Sequence, residues 1–290
     1  MLQSLRLTLL TCLAMLAFAA NSVLARLALI DAEIGAGGFT LIRLVSGAVV
    51  LALIVIFHQR RPILVIRSGS WPGAIALLTY AAFFSYAYIA LPTGTGAIIL
   101  FATVQIVMLA WAIFSGERLA ALQWLGLLLA SVALIWLVSP SVKAPPLLGA
   151  FAMVLAGIGW GAYSLLGRSG GDPTQQTAGN FMRASLVMAA LAPPLLMLFP
   201  ETSPDTQGIL LAVISGAVTS GLGYAIWYTA LKDLAASIAG IAQLSVPAIA
   251  AIGGVVFLAE PITLRFALAS SAILAGVALA TLAAPRQRKV

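Results

Sequence analysis

Residues 71–117 read WPGAIALLTYAAFFSYAYIALPTGTGAIILFATVQIVMLAWAIFSGE. Two apolar runs, 71 to 91 and 93 to 115, meet at Leu91-Pro92 and carry no charge before Glu117. A helix crosses about 30 Å of hydrocarbon in about 20 residues, so each run is long enough to span a bilayer and the pair reads as a helical hairpin. Barrel strands would instead show alternating segments of about ten residues, and richness in Gly, Ala and Leu suits helices better.

The same pattern extends in both directions. Of 290 residues, 62% are apolar and only 8% charged, and the mean hydropathy is +1.11. A soluble domain is excluded, because no core could hide that much apolar surface from water. Ten spans are expected, at 5 to 29, 35 to 57, 71 to 91, 93 to 115, 119 to 138, 146 to 168, 174 to 199, 207 to 231, 234 to 258 and 262 to 283. The expected class is therefore an all-α membrane protein. The first run, from Leu7 onward, continues to Ile30 and is read as a retained span rather than a cleaved signal. With one Cys (Cys12) and one His (His58), disulfide frameworks, zinc clusters and histidine triads lack the residues they require, and no metal or cofactor is expected. Nor are acids clustered for general acid–base work, so an enzyme is not expected.

Cationic loops resist translocation, and this sets an orientation. With a cytoplasmic N-terminus, the inner segments carry Arg6, Arg60, Arg61, Arg67, Arg118, Arg168, Lys232, Arg286, Arg288 and Lys289; the outer ones carry Arg26, Lys143 and Arg265. Both termini are expected inside, in the inner membrane of a bacterial-type cell. The net charge of +7 then reads as a topology signal and an attraction to anionic lipid. No loop is long enough to build a nucleic-acid surface.

The chain also repeats itself. Phe114-Ser-Gly-Glu117 and Phe257-Leu-Ala-Glu260 lie 143 residues apart, an offset that also lays Gly73-Ala74 on Gly216-Ala217. Arg43 and Arg183 stand inside the second span of each half. Two halves, 1–140 and 146–285, each hold five spans. Because five is odd, the second half enters the membrane upside down, giving two inverted five-helix repeats of the kind that place a substrate at the midplane between them. On these landmarks the chain resembles the EamA-type drug/metabolite transporter superfamily over nearly its whole length. The aromatic positions in spans three, four and six are most similar to the YddG type, exporters of aromatic and other amino acids. The resemblance implies a secondary transporter.

Candidate residues follow from depth and chemistry. All eight acids lie at loops or span ends, so no carboxylate is expected at mid-depth, which disfavours cation/proton exchange and makes facilitated diffusion plausible. Rings and amides remain: Tyr80 and Phe83 with Phe84 on span three, Phe101 and Gln105 on span four, Trp160 and Tyr163 on span six, Tyr224 on span eight, Asn21 on span one and Gln243 on span nine. Such rings hold apolar side chains by area and stacking, while Asn21 and neighbouring amides would hold a zwitterion. Plain interhelical packing is the competing reading for each ring. Arg43 and Arg183 are expected either to bind a substrate carboxylate or to act as structural pins, their symmetry favouring the pin. Glu117 and Glu260 are expected to cap spans five and ten. Pro247 and the pair Pro193-Pro194 are expected to bend spans nine and seven, and Gly157 and Gly161 to admit a close neighbour. The expected function is export of aromatic and other neutral amino acids by alternating access. Export of drugs, nucleosides or other metabolites is the alternative, and an assembly subunit a more distant one. The expected partners are a small-molecule substrate and membrane lipid, and the chain is compatible with a monomer.

Overall fold

The computed structural model describes residues 2–59, 67–116, 120–139, 145–167, 172–198, 201, 203–231, 233–234 and 242–282. They form ten helical spans: α1 Leu2–Asp31, α2 Ala36–Gln59, α3 Trp71–Ala90, α4 Thr93–Phe114, α5 Ala121–Val138, α6 Leu147–Leu166, α7 Pro173–Leu198, α8 Thr206–Leu231, α9 Ser245–Leu258 and α10 Leu264–Leu282. Seven are long and apolar enough to cross a bilayer; α5, α9 and α10 are shorter apolar helices. Glu117, expected as a cap, lies outside the described residues.

Local chemistry starts several of these helices. Ser70 Oγ accepts the Gly73 N–H ahead of α3, Asp172 Oδ1 accepts Thr174 and Gln175 N–H ahead of α7, and Asp205 Oδ1 accepts Gly208 N–H ahead of α8. Each satisfies amide donors that the first helical turn leaves orphaned. Pro247 lies near the start of α9. It is the third residue of α9, just past the turn at Leu244 that separates α9 from the helical residues Ala242 and Gln243, and its missing N–H falls where the first turn leaves an amide without a helical partner. Pro193 and Pro194 do lie inside α7.

The helices pack by small residues and leave their large apolar side chains toward lipid. On α2, Val45, Val49, Leu53 and Phe57 face outward while Arg43, Leu44, Leu51 and Val55 are buried. A continuous outward face of large apolar side chains suits hydrocarbon and not water. On α6, a Cβ at Gly157 would stand 2.6 Å from Thr103 Cβ, and one at Gly161 would stand 2.8 Å from Val107 Cγ1, so the expected close neighbour is α4. Likewise Gly126 of α5 and Gly276 of α10 meet backbone to backbone.

The pairing pattern carries the symmetry. Helix α3 packs on α6, α4 on α6 and α9, α2 on α7, α5 on α10, and α1 on α8 and α9. Advancing every helix by five turns α3·α6 into α8·α1 and α4·α6 into α9·α1, and leaves α2·α7, α4·α9 and α5·α10 unchanged. This is the arrangement of two inverted five-helix repeats. One element breaks the regularity. The middle of α8, Ser215–Leu222, is π-helical, a wide turn that is uncommon and frequently found at functional sites. Gly216 presses there against the backbone of Arg43 and the Ser46 hydroxyl, leaving no room for a Cβ.

Candidate functional site

A small chamber lies between the helices at mid-depth, lined by Phe18, Asn21 and Ser22 of α1, Tyr80 and Phe84 of α3, Leu100 and Phe101 of α4, Trp160 of α6 and Tyr224 of α8. Five helices from both halves meet here because α1, α3, α6 and α4 pack in a ring and α8 packs on α1, and all nine lining groups come from them. The space open to a water's centre is about 10 Å³, roughly one water. Trp160 is its hub. Its ring centroid stands 5.0 Å from Tyr80, 4.9 Å from Tyr224 and 5.8 Å from Phe18, all in tilted or edge-on arrangements. Such geometry is the favourable one for aromatic quadrupoles. Trp160 Nε1, buried, has no hydrogen-bond acceptor among the described residues.

A polar network runs along one wall. Asn21 Oδ1 accepts the hydroxyls of Ser215 (2.6 Å) and Thr219 (3.0 Å) from the π-helical turn, and Asn21 Nδ2 donates to Tyr80 Oη at 3.3 Å. Arg43 stands behind Tyr80 and Phe84, its guanidinium carbon 5.0 Å and 4.8 Å from their ring centroids. It is 1% exposed. Arg43 Nε donates to Ser220 Oγ (3.1 Å), and Nη2 to Tyr80 Oη (2.9 Å) and Tyr224 Oη (3.4 Å). Nη1 has no acceptor, and no carboxylate reaches the guanidinium among the described residues. A buried cation held only by hydroxyls and ring faces is costly, and such groups in a membrane interior mark function.

The structure therefore separates the two arginines that the sequence pairs. Arg43 neither snorkels nor pins a helix end. Arg183 does pin: Nη1 donates to Ser68 O and, at 3.0 Å, to Gly179 O, with the guanidinium 5.9 Å from the Trp71 ring. The difference comes from surroundings, since Arg183 meets one carbonyl of the turn before α3 and one of its own helix whereas Arg43 meets only side chains.

Of the expected cavity residues, Asn21, Tyr80, Phe101, Trp160 and Tyr224 converge on the chamber. Four do not. Phe83 is 37% exposed on the outer side of α3, because one residue along a helix turns about 100° and Phe84 takes the inward position. Tyr163 is buried behind Trp160, 5.8 Å ring to ring, its hydroxyl bonded to Asn180 and Thr177. Gln105 is buried one turn beyond Phe101 and off the wall, and Gln243 is half-buried ahead of α9. Phe18, Ser22, Ser215, Thr219 and Ser220 are additions. The run Ser215-Gly-Ala-Val-Thr-Ser-Gly221 is the legible signal for the last three, being small and hydroxylated in mid-span.

Side-chain latches close the bundle at both ends. At one end Glu260 accepts Arg26 Nε at 3.2 Å and the Thr93 N–H at 2.7 Å, while Arg26 Nη1 donates to Tyr88 O and Ile89 O. Glu260 was expected to cap α10; it caps α4 instead, because the left-handed turn at Ala259 (φ 51) swings it away from its own helix. At the same end Glu201 accepts the N–H groups of Gly37 and Gly38. At the other end the segment before α3 is held by α7: Ser70 N–H donates to Asn180 Oδ1 (2.8 Å) and Gly69 N–H to Gln176 Oε1 (3.0 Å). A larger open cavity of about 240 Å³ sits at the Glu260 end, lined by Pro92, Thr95, Pro146, Val255 and Arg265 among others, away from the rings.

Comparison with known proteins agrees with this architecture. Residues 147–282 match the EamA-like transporter family. An uncharacterised protein of Pseudomonas aeruginosa is 50% identical over 281 residues, covering 97% of this chain and 96% of its own. An uncharacterised transporter of Archaeoglobus fulgidus is 23% identical over 212 residues, 71% of this chain and 74% of that one. A solved crystal structure, 20% identical, shares the fold with a TM-score of 0.66 over 95% of this chain and 97% of that one. Ten packed spans make the chain a multi-pass membrane protein, and through its second half, residues 147–282, it is similar to EamA-like transporters of small molecules.

Proposed function

We propose that the protein exports amino acids with aromatic or other apolar side chains across the inner membrane by alternating access. The observation that carries this reading is the chamber, whose walls are mostly aromatic around Trp160 and whose polar groups sit to one side. Apolar side chains gain about 0.5–1.5 kcal/mol per ring pair beyond burial in such surroundings. In the structure the chamber holds no more than about one water, and latches tie the bundle at both ends. A substrate is admitted when one set of latches releases and the halves, residues 1–140 and 146–285, rock about the chamber. In this reading both termini lie in the cytoplasm, which the asymmetry of Lys and Arg among the loops supports. No carboxylate lines the chamber among the described residues, which suits movement down a gradient better than exchange for protons.

Counterflow of labelled phenylalanine into proteoliposomes loaded with unlabelled phenylalanine tests this. Uptake above that of protein-free vesicles, abolished by Trp160→Ala, is expected. No uptake of any neutral amino acid, or competition only by nucleosides or lipophilic drugs, overturns the amino-acid reading.

A further inference from the structure

We propose that the chamber recognises the carboxylate of its substrate and makes no use of the α-ammonium group. This rests on the chamber being the transport site, as read above. Proton counting carries it. Trp160 lines the chamber, and its buried Nε1 is a donor without an acceptor among the described residues. Asn21 spends its carbonyl oxygen on Ser215 and Thr219, so what it offers is the second N–H of its amide. Tyr80 Oη already accepts from Arg43 and Asn21, and Tyr224 Oη accepts from Arg43 while bonding to Tyr80, so one of the two phenolic hydrogens stays within the pair and the other is left to give. The one remaining hydroxyl on the wall, Ser22, is neutral. Donors therefore crowd the polar side, and an ammonium group bringing its own donors finds no charged acceptor.

Charge points the same way. The Arg43 guanidinium lies one ring behind the wall with Nη1 unpartnered and no carboxylate beside it among the described residues. Its field favours an anion in the chamber and opposes a cation, more strongly than in water because the surroundings are apolar. Arg43 touches the substrate only through the Tyr80 and Tyr224 hydroxyls, which it orients and polarises, so it is a positioning residue. An apolar carboxylate without nitrogen satisfies the site as well as the amino acid does.

Calorimetric titration of the purified full chain with L-phenylalanine, 3-phenylpropionate and 2-phenylethylamine at pH 7 tests this. The acid is expected to bind within about threefold of phenylalanine or tighter, and the amine at least tenfold more weakly, the size of a lost hydrogen bond to a charged group. Trp160→Phe keeps the ring and removes the N–H; it is expected to weaken the acid about tenfold and leave the amine unchanged. Arg43→Lys keeps the charge and Arg43→Gln removes it, so the acid-to-amine affinity ratio should survive the first and collapse in the second, a change that mere loss of packing does not produce. Binding of the acid without phenylalanine upholds the inference and removes the amino-acid reading. Binding of phenylalanine and the amine without the acid, or an unchanged acid affinity in Trp160→Phe, overturns the inference while leaving that reading intact. Binding of none of the three overturns both.

Discussion

Glu260 accepts the backbone N–H of Thr93 at 2.7 Å, so a carboxylate from the turn after α9 caps the start of α4. Through Arg26 the same carboxylate also holds α1, whose guanidinium in turn grips the carbonyl end of α3. Four helices thus depend on one side chain at one face of the membrane.

Glu260→Ala is expected to lower the unfolding free energy by about 1–3 kcal/mol, the scale of a helix cap plus a charged hydrogen bond. Glu260→Gln should lose less, because its amide oxygen still accepts from Thr93. Unfolding by denaturing detergent measures both. In the double variant with Arg26→Ala the losses should fall short of their sum, since both remove one ion pair.

Arg43 and Arg183 should part company under mutation. Arg183→Ala removes contacts to the Ser68 and Gly179 carbonyls, and should reduce stability while leaving the KM for transport within about twofold. Arg43→Ala should raise KM tenfold or more at a smaller change in maximal rate. The opposite assignment of effects would show that Arg43 is the pin.

Phe83→Ala should be nearly silent, within about 0.5 kcal/mol in stability and unchanged in flux, because the ring faces outward. Phe101→Ala, one helix away and on the wall, should depress flux at least fivefold. Parallel transport assays of the two check this, and equal loss of flux in both would take Phe101 off the chamber wall.

Gly157→Val should separate α4 from α6, since even its Cβ would stand 2.6 Å from Thr103 Cβ. Overpacking of this kind costs about 1–3 kcal/mol, and Thr103→Ala in the same chain should recover part of it by making room. Thermal unfolding of the two variants, single and combined, reads this out.

Asn21→Leu should strand the Ser215 hydroxyl at the π-helical turn, whereas Thr219 Oγ1 keeps its bond to Ser215 O at 2.9 Å. A loss of about 1–3 kcal/mol is expected for the unsatisfied group, together with loss of phenylalanine counterflow. Full flux in this variant would remove Asn21 from the site.

Much of the fold is visible in the primary structure for a single reason: hydrocarbon demands about 20 consecutive apolar residues per helix, and that requirement is written locally. The repeat was legible through Phe114–Glu117, Phe257–Glu260 and the odd number of spans in each half. The site was legible only in part. Trp160, Tyr80, Phe101, Tyr224 and Asn21 stood out as rings or an amide at central depth, but Phe83 and Phe84 are adjacent and the chain alone does not say which turns inward. Phe18 carries no such mark among the apolar residues of α1, because an inward ring without a polar atom looks like any other apolar residue of a span.

The order of residues decided the solvent, the number of crossings and the doubling of the unit, since each follows from patterns within one segment or from counting segments. It also decided which side chains lie deep enough to matter. Tertiary structure decided everything that depends on a partner from a distant segment: that Glu260 serves α4 and not α10, that Arg43 is enclosed by Tyr80, Tyr224 and Ser220 while Arg183 reaches carbonyls, and that Trp160 keeps a donor to spare. Hydrogen bonds between segments more than a hundred residues apart have no local trace, because either partner is compatible with many others until the helices are packed.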